Sequence, residues 1–116
     1  MKRLLFCAIL LLPMAVCGVS LAAGPKAGQN YTFQGNLGEY DGLIMVNDTN
    51  LGRMVVVASA TDGADELSPS LFDCVVDFNT GGYKGRVEVT GKVWIPDWNK
   101  NELRVESREA ICKRLK

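Results

Sequence analysis

The chain reads as an all-β domain, a small antiparallel barrel of five or six short strands with one disulfide, and three observations predict it. From Arg86 to Ile95 the apolar residues Val87, Val89, Gly91, Val93 and Ile95 share one parity while Arg86, Glu88, Thr90, Lys92 and Trp94 share the other, the two-residue period of a half-buried strand. Turn residues punctuate the rest at short intervals, and no helix longer than one turn stands out. Two cysteines, Cys74 and Cys112, fall in the body of the chain.

The first 23 residues read as a separate unit. Lys2 and Arg3 form a basic end, Leu4 to Val16 an apolar run, and Ser20-Leu21-Ala22 or Leu21-Ala22-Ala23 a small-residue cleavage site, the three-part form of a signal peptide. Pro13 interrupts the run, which is short for a bilayer span of about 20 residues, so no membrane span is expected after cleavage near Ala22/Ala23. Val16 stands where a lipoprotein signal wants Gly, Ala or Ser, which argues against a lipid anchor on Cys17. The expected location is the periplasm or the exterior, with residues 24 to 116 forming one domain.

In chain order, Gly24 to Gln29 is a loose lead-in. Tyr31, Phe33, Gly35 and Leu37 alternate with Thr32, Gln34 and Asn36 as a first strand. Gly38 to Gly42 is either a turn or a bulged corner. The preferred reading is one long bent strand to Val46, while a true hairpin turn there belongs to the rival small sandwich or eight-stranded inhibitor-type barrel. Asn47 to Gly52 is a turn cluster. Met54 to Ala60, a short β-branched apolar run, is a second strand. Thr61 to Ser70 is the long irregular connection, with room for one helical turn near Ala64 to Leu67. Phe72, Cys74, Val76 and Phe78 alternate with Asp73, Val75 and Asp77 as a third strand. Asn79 to Gly85 is a Gly-rich turn that leaves no room for a helix. The strand from Arg86 then turns through Pro96 to Asn101 into a last strand from Leu103 to Cys112. A set this small is expected to close on itself, because an open sheet leaves edges and an apolar face uncovered.

With the leader removed, Cys74 and Cys112 remain in a compartment where disulfides persist, and a pair is the economical reading; two buried thiols or half of a metal site are the alternatives. Leu103 and Val105 are odd-numbered and Cys112 is even, so a disulfide requires a bulge within Glu106 to Ala110 that shifts the parity by one.

Val87-Glu88-Val89-Thr90-Gly91-Lys92-Val93 followed by Glu102-Leu103-Arg104-Val105 resembles the closing hairpin of small periplasmic bacterial proteins with an oligonucleotide/oligosaccharide-binding (OB) fold. The two cysteines are similar to those on the third and last strands of exported OB domains of the tRNA-anticodon-binding-like type. The resemblance covers about the last 45 residues and implies an OB-like barrel, with a ligand face flanked by the loop after the first strand and the loop between the fourth and fifth.

The chain has no histidine, the commonest general base and zinc ligand. Asp62, Asp65 and Glu66 in the long loop, and Asp73 and Asp77 on one strand face, match no calcium-loop pattern and read as solvated surface. Cys74 sits among apolar residues that make a thiol inert. Neither an enzyme nor a cofactor is expected. The 13 basic and 13 acidic residues become 11 and 13 without Lys2 and Arg3, a net of −2, which argues against nucleic acid as a partner. Binding is the better class. The candidate ligand contacts are Trp94, Trp98, Arg86, Lys92, Lys100 and Asn47, since an exposed indole beside a cation stacks on a base or sugar or anchors a protein; the plain alternative is that Trp94 closes the barrel end and Trp98 packs over it. The expected function is a non-enzymatic exported binding or stress-related module for a small ligand, an oligosaccharide or a protein. A protein-interaction subunit or secreted inhibitor with an exposed apolar edge is the alternative.

Overall fold

The computed structural model describes residues 24–83 and 85–115. The expected signal peptide, with Cys7 and Cys17, lies outside the described residues. Six strands and one helix follow: β1 (Asn30–Tyr40), β2 (Leu43–Asp48), β3 (Arg53–Ser59), α1 (Pro69–Thr80), β4 (Arg86–Trp94), β5 (Arg104–Val105) and β6 (Ile111–Arg114). The expected long first strand is two strands. Asp41 and Gly42 both take positive φ (55° and 79°), the backbone of a two-residue primed turn, so the corner at Gly38 to Gly42 is a true hairpin.

The strands pair in the order β1-β2-β3-β5-β4, and β1 pairs back onto β4 over Asn30 to Asn36, closing a roughly barrel-like ring of five strands in an OB-like arrangement. β6 adds to β4 alongside Val87 to Thr90, where β5 leaves off. The ring is mixed rather than wholly antiparallel: β3 and β5 run parallel where Val56 meets Arg104. A β-bulge between Ile44 and Met45 bends β2 as it pairs with β3.

The predicted parity of β4 holds. Val87, Val89, Gly91 and Val93 are buried and the residues between them are not. They meet Phe33, Ile44, Val46, Val55, Val57 and Val105 in one core. Each such side chain, fully buried, is worth roughly 1.5–3 kcal/mol relative to exposure. Asp48 is also fully buried, and its carboxylate accepts from the backbone N–H of Gln34 (3.0 Å) and Leu51 (2.7 Å), which ties the β2–β3 turn to β1.

The third predicted strand is the one element of the wrong type. Leu71 to Phe78 lies in α1, which buries Leu71, Cys74 and Val75 at helical spacing and leaves Val76 exposed. Ser68 caps the helix: its Oγ accepts from Leu71 N (3.2 Å) and donates to the Ala110 carbonyl. Pro69 opens the first turn rather than ending an earlier one, and Gly81, in the left-handed region at φ 75°, closes the last. The helix therefore occupies the connection between β3 and β4, where the sequence pattern left no room for one. None of the described helix is long and apolar enough to cross a membrane.

Cys74 and Cys112 form the disulfide, with Cα atoms 6.5 Å apart. It joins α1 to β6, not strand to strand. The parity shift it demanded is present, as a turn at Ser107 to Glu109 that breaks the last strand into β5 and β6 rather than as a one-residue bulge. Before the turn Leu103 and Val105 are buried; after it Ala110 and Cys112 are.

Candidate functional site

The site is built by register. Directly paired residues project from the same side of a sheet, and Met45, Val56, Arg104 and Trp94 are successive partners across β2, β3, β5 and β4. Val46 and Val55, one position away, belong to the core, so this row lies on the opposite face of the sheet, where Val56 is nevertheless covered (4% exposed). A second outward row, Met54, Asn47, Asn36 and Arg86, runs beside it across β3, β2, β1 and β4.

Trp94, the last residue of β4, is half-buried; Trp98, in the β4–β5 loop, is 71% exposed. Their rings meet edge to face, centroids 6.2 Å apart at 78°. The Arg104 guanidinium lies 5.4 Å from the centroid of each, within the range in which a cation is drawn to an aromatic face. Arg104 is itself paired with Glu102, and both side chains are only about a fifth exposed (20% and 18%). The loop that carries Trp98 is held at several points. Asn99 N donates to Pro96 O (3.3 Å), Glu102 N to Asn99 O (3.1 Å), Asn101 N to Asn99 Oδ1 (3.0 Å), and Arg53 Nη2 to the Asn101 carbonyl (2.5 Å). Trp98 is thus an exposed indole on an anchored loop, wedged by a neighbouring ring and a cation.

Beside Trp94 a polar groove runs between β3 and β5, lined by Val56, Ser59, Asp62, Trp94, Arg104 and Ser107. Asp62 Oδ2 accepts from Ser59 N (2.8 Å) and Ser107 Oγ donates to Val57 O (3.0 Å), so both side chains are set by backbone contacts. Across the first hairpin lies a more apolar hollow lined by Leu37, Tyr40, Met45, Asn47 and Met54, where Tyr40 is 69% and Met54 52% exposed.

The sequence-predicted contacts divide. Trp94 and Trp98 come together. Lys92, exposed, projects from the same face of β4 two residues before Trp94, and Lys100 pairs with Asp97 at 3.4 Å in full solvent, a contact worth little. Arg86 begins β4, eight residues or about 26 Å from Trp94 along the strand, and donates to Thr49 Oγ1 (3.1 Å). Asn47 belongs to β2 and borders the hollow, so the loop expected to flank the ligand face, Asn47 to Gly52, joins the second and third strands instead. Arg104, the cation that meets both indoles, was not among the candidates. Its place depends on the pairing of β5 with both β3 and β4, which no local pattern carries.

Three of the clustered acids are engaged locally. Asp62 and Glu66 accept from Ser59 N and Gly63 N (2.6 Å), and Asp77, on α1, pairs with Arg114. Among the described residues no group of three or more His, Cys, Asp or Glu side chains is placed to hold a metal ion. Compared with known proteins, the chain matches no family model, no curated protein and no solved structure.

Proposed function

We propose that the chain is an exported, non-enzymatic binding or stress-related module of the OB type, whose ligand face comprises Trp94, Trp98 and Arg104 with the groove beside them. The observation that carries this reading is Trp98, left 71% exposed yet held against Trp94 and Arg104. An aromatic ring anchored in advance binds without the ordering cost of a free side chain. The OB resemblance of the closing hairpin supports the same face, since ligands of that fold meet the outer side of strands two and three and the loop between strands four and five.

The test is tryptophan fluorescence of the oxidised domain with acrylamide quenching, titrated with peptides, oligosaccharides and oligonucleotides. A ligand that shields Trp98, with the shielding absent in Trp98→Ala, is the expected result. If no compound of any class alters emission or quenching, the reading fails.

The hollow at Tyr40, Met45 and Met54 favours a second reading, a protein-interaction subunit or inhibitor, because large apolar groups this exposed on one face recur at protein interfaces. Photocrosslinking from position 54 to a purifiable partner, with binding lost in Tyr40→Ser and kept in Trp98→Ala, would favour it. Crosslinks confined to position 98 would remove it.

A further inference from the structure

We infer that the ligand at this face is an uncharged oligosaccharide, an inference that rests on the binding-module reading and narrows it to one chemistry. The first argument is charge. Around Trp94 and Trp98 stand four cations, Arg53, Lys92, Lys100 and Arg104, and three acids, Asp62, Asp97 and Glu102. Arg104 is held by Glu102 and Arg53 donates to the Asn101 carbonyl, so both guanidinium groups are engaged; Lys100 meets Asp97 only in solvent, and Lys92 stands exposed two residues before Trp94. Recognition of a phosphate chain depends on cations free to neutralise it, preferably an Arg fork facing the ligand. Here the best-placed Arg is already engaged by a carboxylate and two rings, and Asp62 lines the adjoining groove. A polyanion finds two solvent-exposed lysines but no unengaged Arg fork, and it meets Asp62.

The second argument is the arrangement of surface. Trp98 offers a flat apolar platform, and next to Trp94 the groove offers hydroxyls and a carboxylate at Ser59, Ser107 and Asp62. A neutral pyranose has the complementary design, an apolar C–H face that lies on an indole and a rim of hydroxyls that donate to carboxylate and accept from hydroxyl and guanidinium groups. Trp94 meets Trp98 edge to face and also lines the groove, so the platform and the hydroxyl-bearing groove adjoin.

The experiment uses the mature, oxidised protein with cellohexaose, chitohexaose, oligothymidylate and an uncharged peptide as probes, followed by tryptophan emission and nuclear magnetic resonance shifts of the indole N–H groups. A neutral hexasaccharide is expected to shift the Trp98 signal saturably, with an affinity that changes less than about twofold between about 50 and 200 mM salt, since no counterions are released. Trp98→Ala is expected to weaken binding about tenfold or more, and Trp98→Phe to retain most of it; Trp98 is exposed, and an unchanged melting curve shows that the variants fold. Failure of both hexasaccharides to bind, or binding indifferent to Trp98→Ala, overturns the inference. If oligothymidylate or the peptide alone binds through Trp98, the saccharide assignment falls while the binding-module reading stands. Silence of every probe ends both.

Discussion

Arg104 and Trp98 are joined by a cation–ring contact, guanidinium carbon to ring centre 5.4 Å, although one sits on a strand and the other on a loop. Glu102 pairs with the same guanidinium through Nε. Removing Arg104 takes away the wedge under Trp98 and leaves a mostly buried carboxylate without its partner. Arg104→Ala is expected to lower stability by about 1–2 kcal/mol, the sum of a partly exposed cation–π contact and an orphaned charge-assisted hydrogen bond. It should also raise acrylamide quenching of tryptophan. Unchanged quenching in this variant would mean that the anchored loop alone positions the indole.

Ser68 performs two tasks with one hydroxyl. It accepts from Leu71 N as the cap of α1 and donates to the buried Ala110 carbonyl just before β6, while its own N–H bonds Ser107 O at 3.0 Å. Ser68→Ala is expected to cost about 2–3 kcal/mol, a lost cap of about 1 plus a carbonyl left unsatisfied. Ser68→Asp separates the two tasks, since a carboxylate caps well but cannot donate to Ala110. Urea denaturation should find it no better than Ser68→Ala. Recovery to wild-type stability would show that the cap alone matters.

How legible these features were depends on how local their causes are. The faces of β1 and β4 could be read because one side is core and the other is not, and the period of two survives any tertiary arrangement. The helix was obscured because Phe72, Cys74, Val76 and Phe78 alternate by accident in a segment rich in β-branched and aromatic residues. Its punctuation was nevertheless present: Ser68-Pro69 ahead of the apolar run and Gly81 after it form a cap, a first-turn proline and a left-handed stop. The disulfide followed from the expected compartment and the cysteine count, and the parity conflict between Val105 and Cys112 placed a break within Glu106 to Ala110 without showing that it is a whole turn at Ser107 to Glu109. Trp98 could be singled out as a large ring in a polar loop. Arg104 could not, because its partners Val56 and Trp94 come from register across a parallel crossover.

The disulfide ties residues 38 apart in sequence. Constraining the unfolded chain by a loop of that length is worth about 4 kcal/mol in the chain-entropy account, and measured values cluster near 2–4. Reduction, or Cys74→Ala with Cys112→Ala, is expected to lower the unfolding free energy from urea denaturation by that amount, a large share of a total near 5–15 kcal/mol. Because the bond ties α1 to β6, the loss should appear first as faster amide exchange in Leu71 to Val75 and in β6, with β1 to β3 least affected. Uniform acceleration across the ring would instead mean that α1 and the sheet unfold as one unit.

Three glycines on the sheet separate close packing from mere conformational freedom, because each has a different neighbour. A Cβ on Gly35 would lie 1.9 Å from the Asn47 carbonyl oxygen, where β1 pairs with β2 opposite buried Asp48. The obstacle is backbone, so the hairpin itself must move, and Gly35→Ala is expected to cost about 3 kcal/mol or more. On Gly91 the added carbon would meet Val105 Cγ1 at 2.6 Å and Ala110 Cβ at 3.3 Å, on either side of the turn that divides the last strand. Val105 can shift, which places Gly91→Ala at about 1–3 kcal/mol. Gly38 has nothing within 4 Å and no positive φ. There Ala restricts the unfolded chain at no cost to the folded one, and a gain of about 0.4–1 kcal/mol is expected. Urea midpoints of the three single variants should therefore rank Gly38→Ala above wild type, then Gly91→Ala, then Gly35→Ala. A Gly35→Ala variant as stable as wild type would mean that β1 and β2 are not in this register, and with it the outward row from Met54 through Asn47 to Arg86 would be lost.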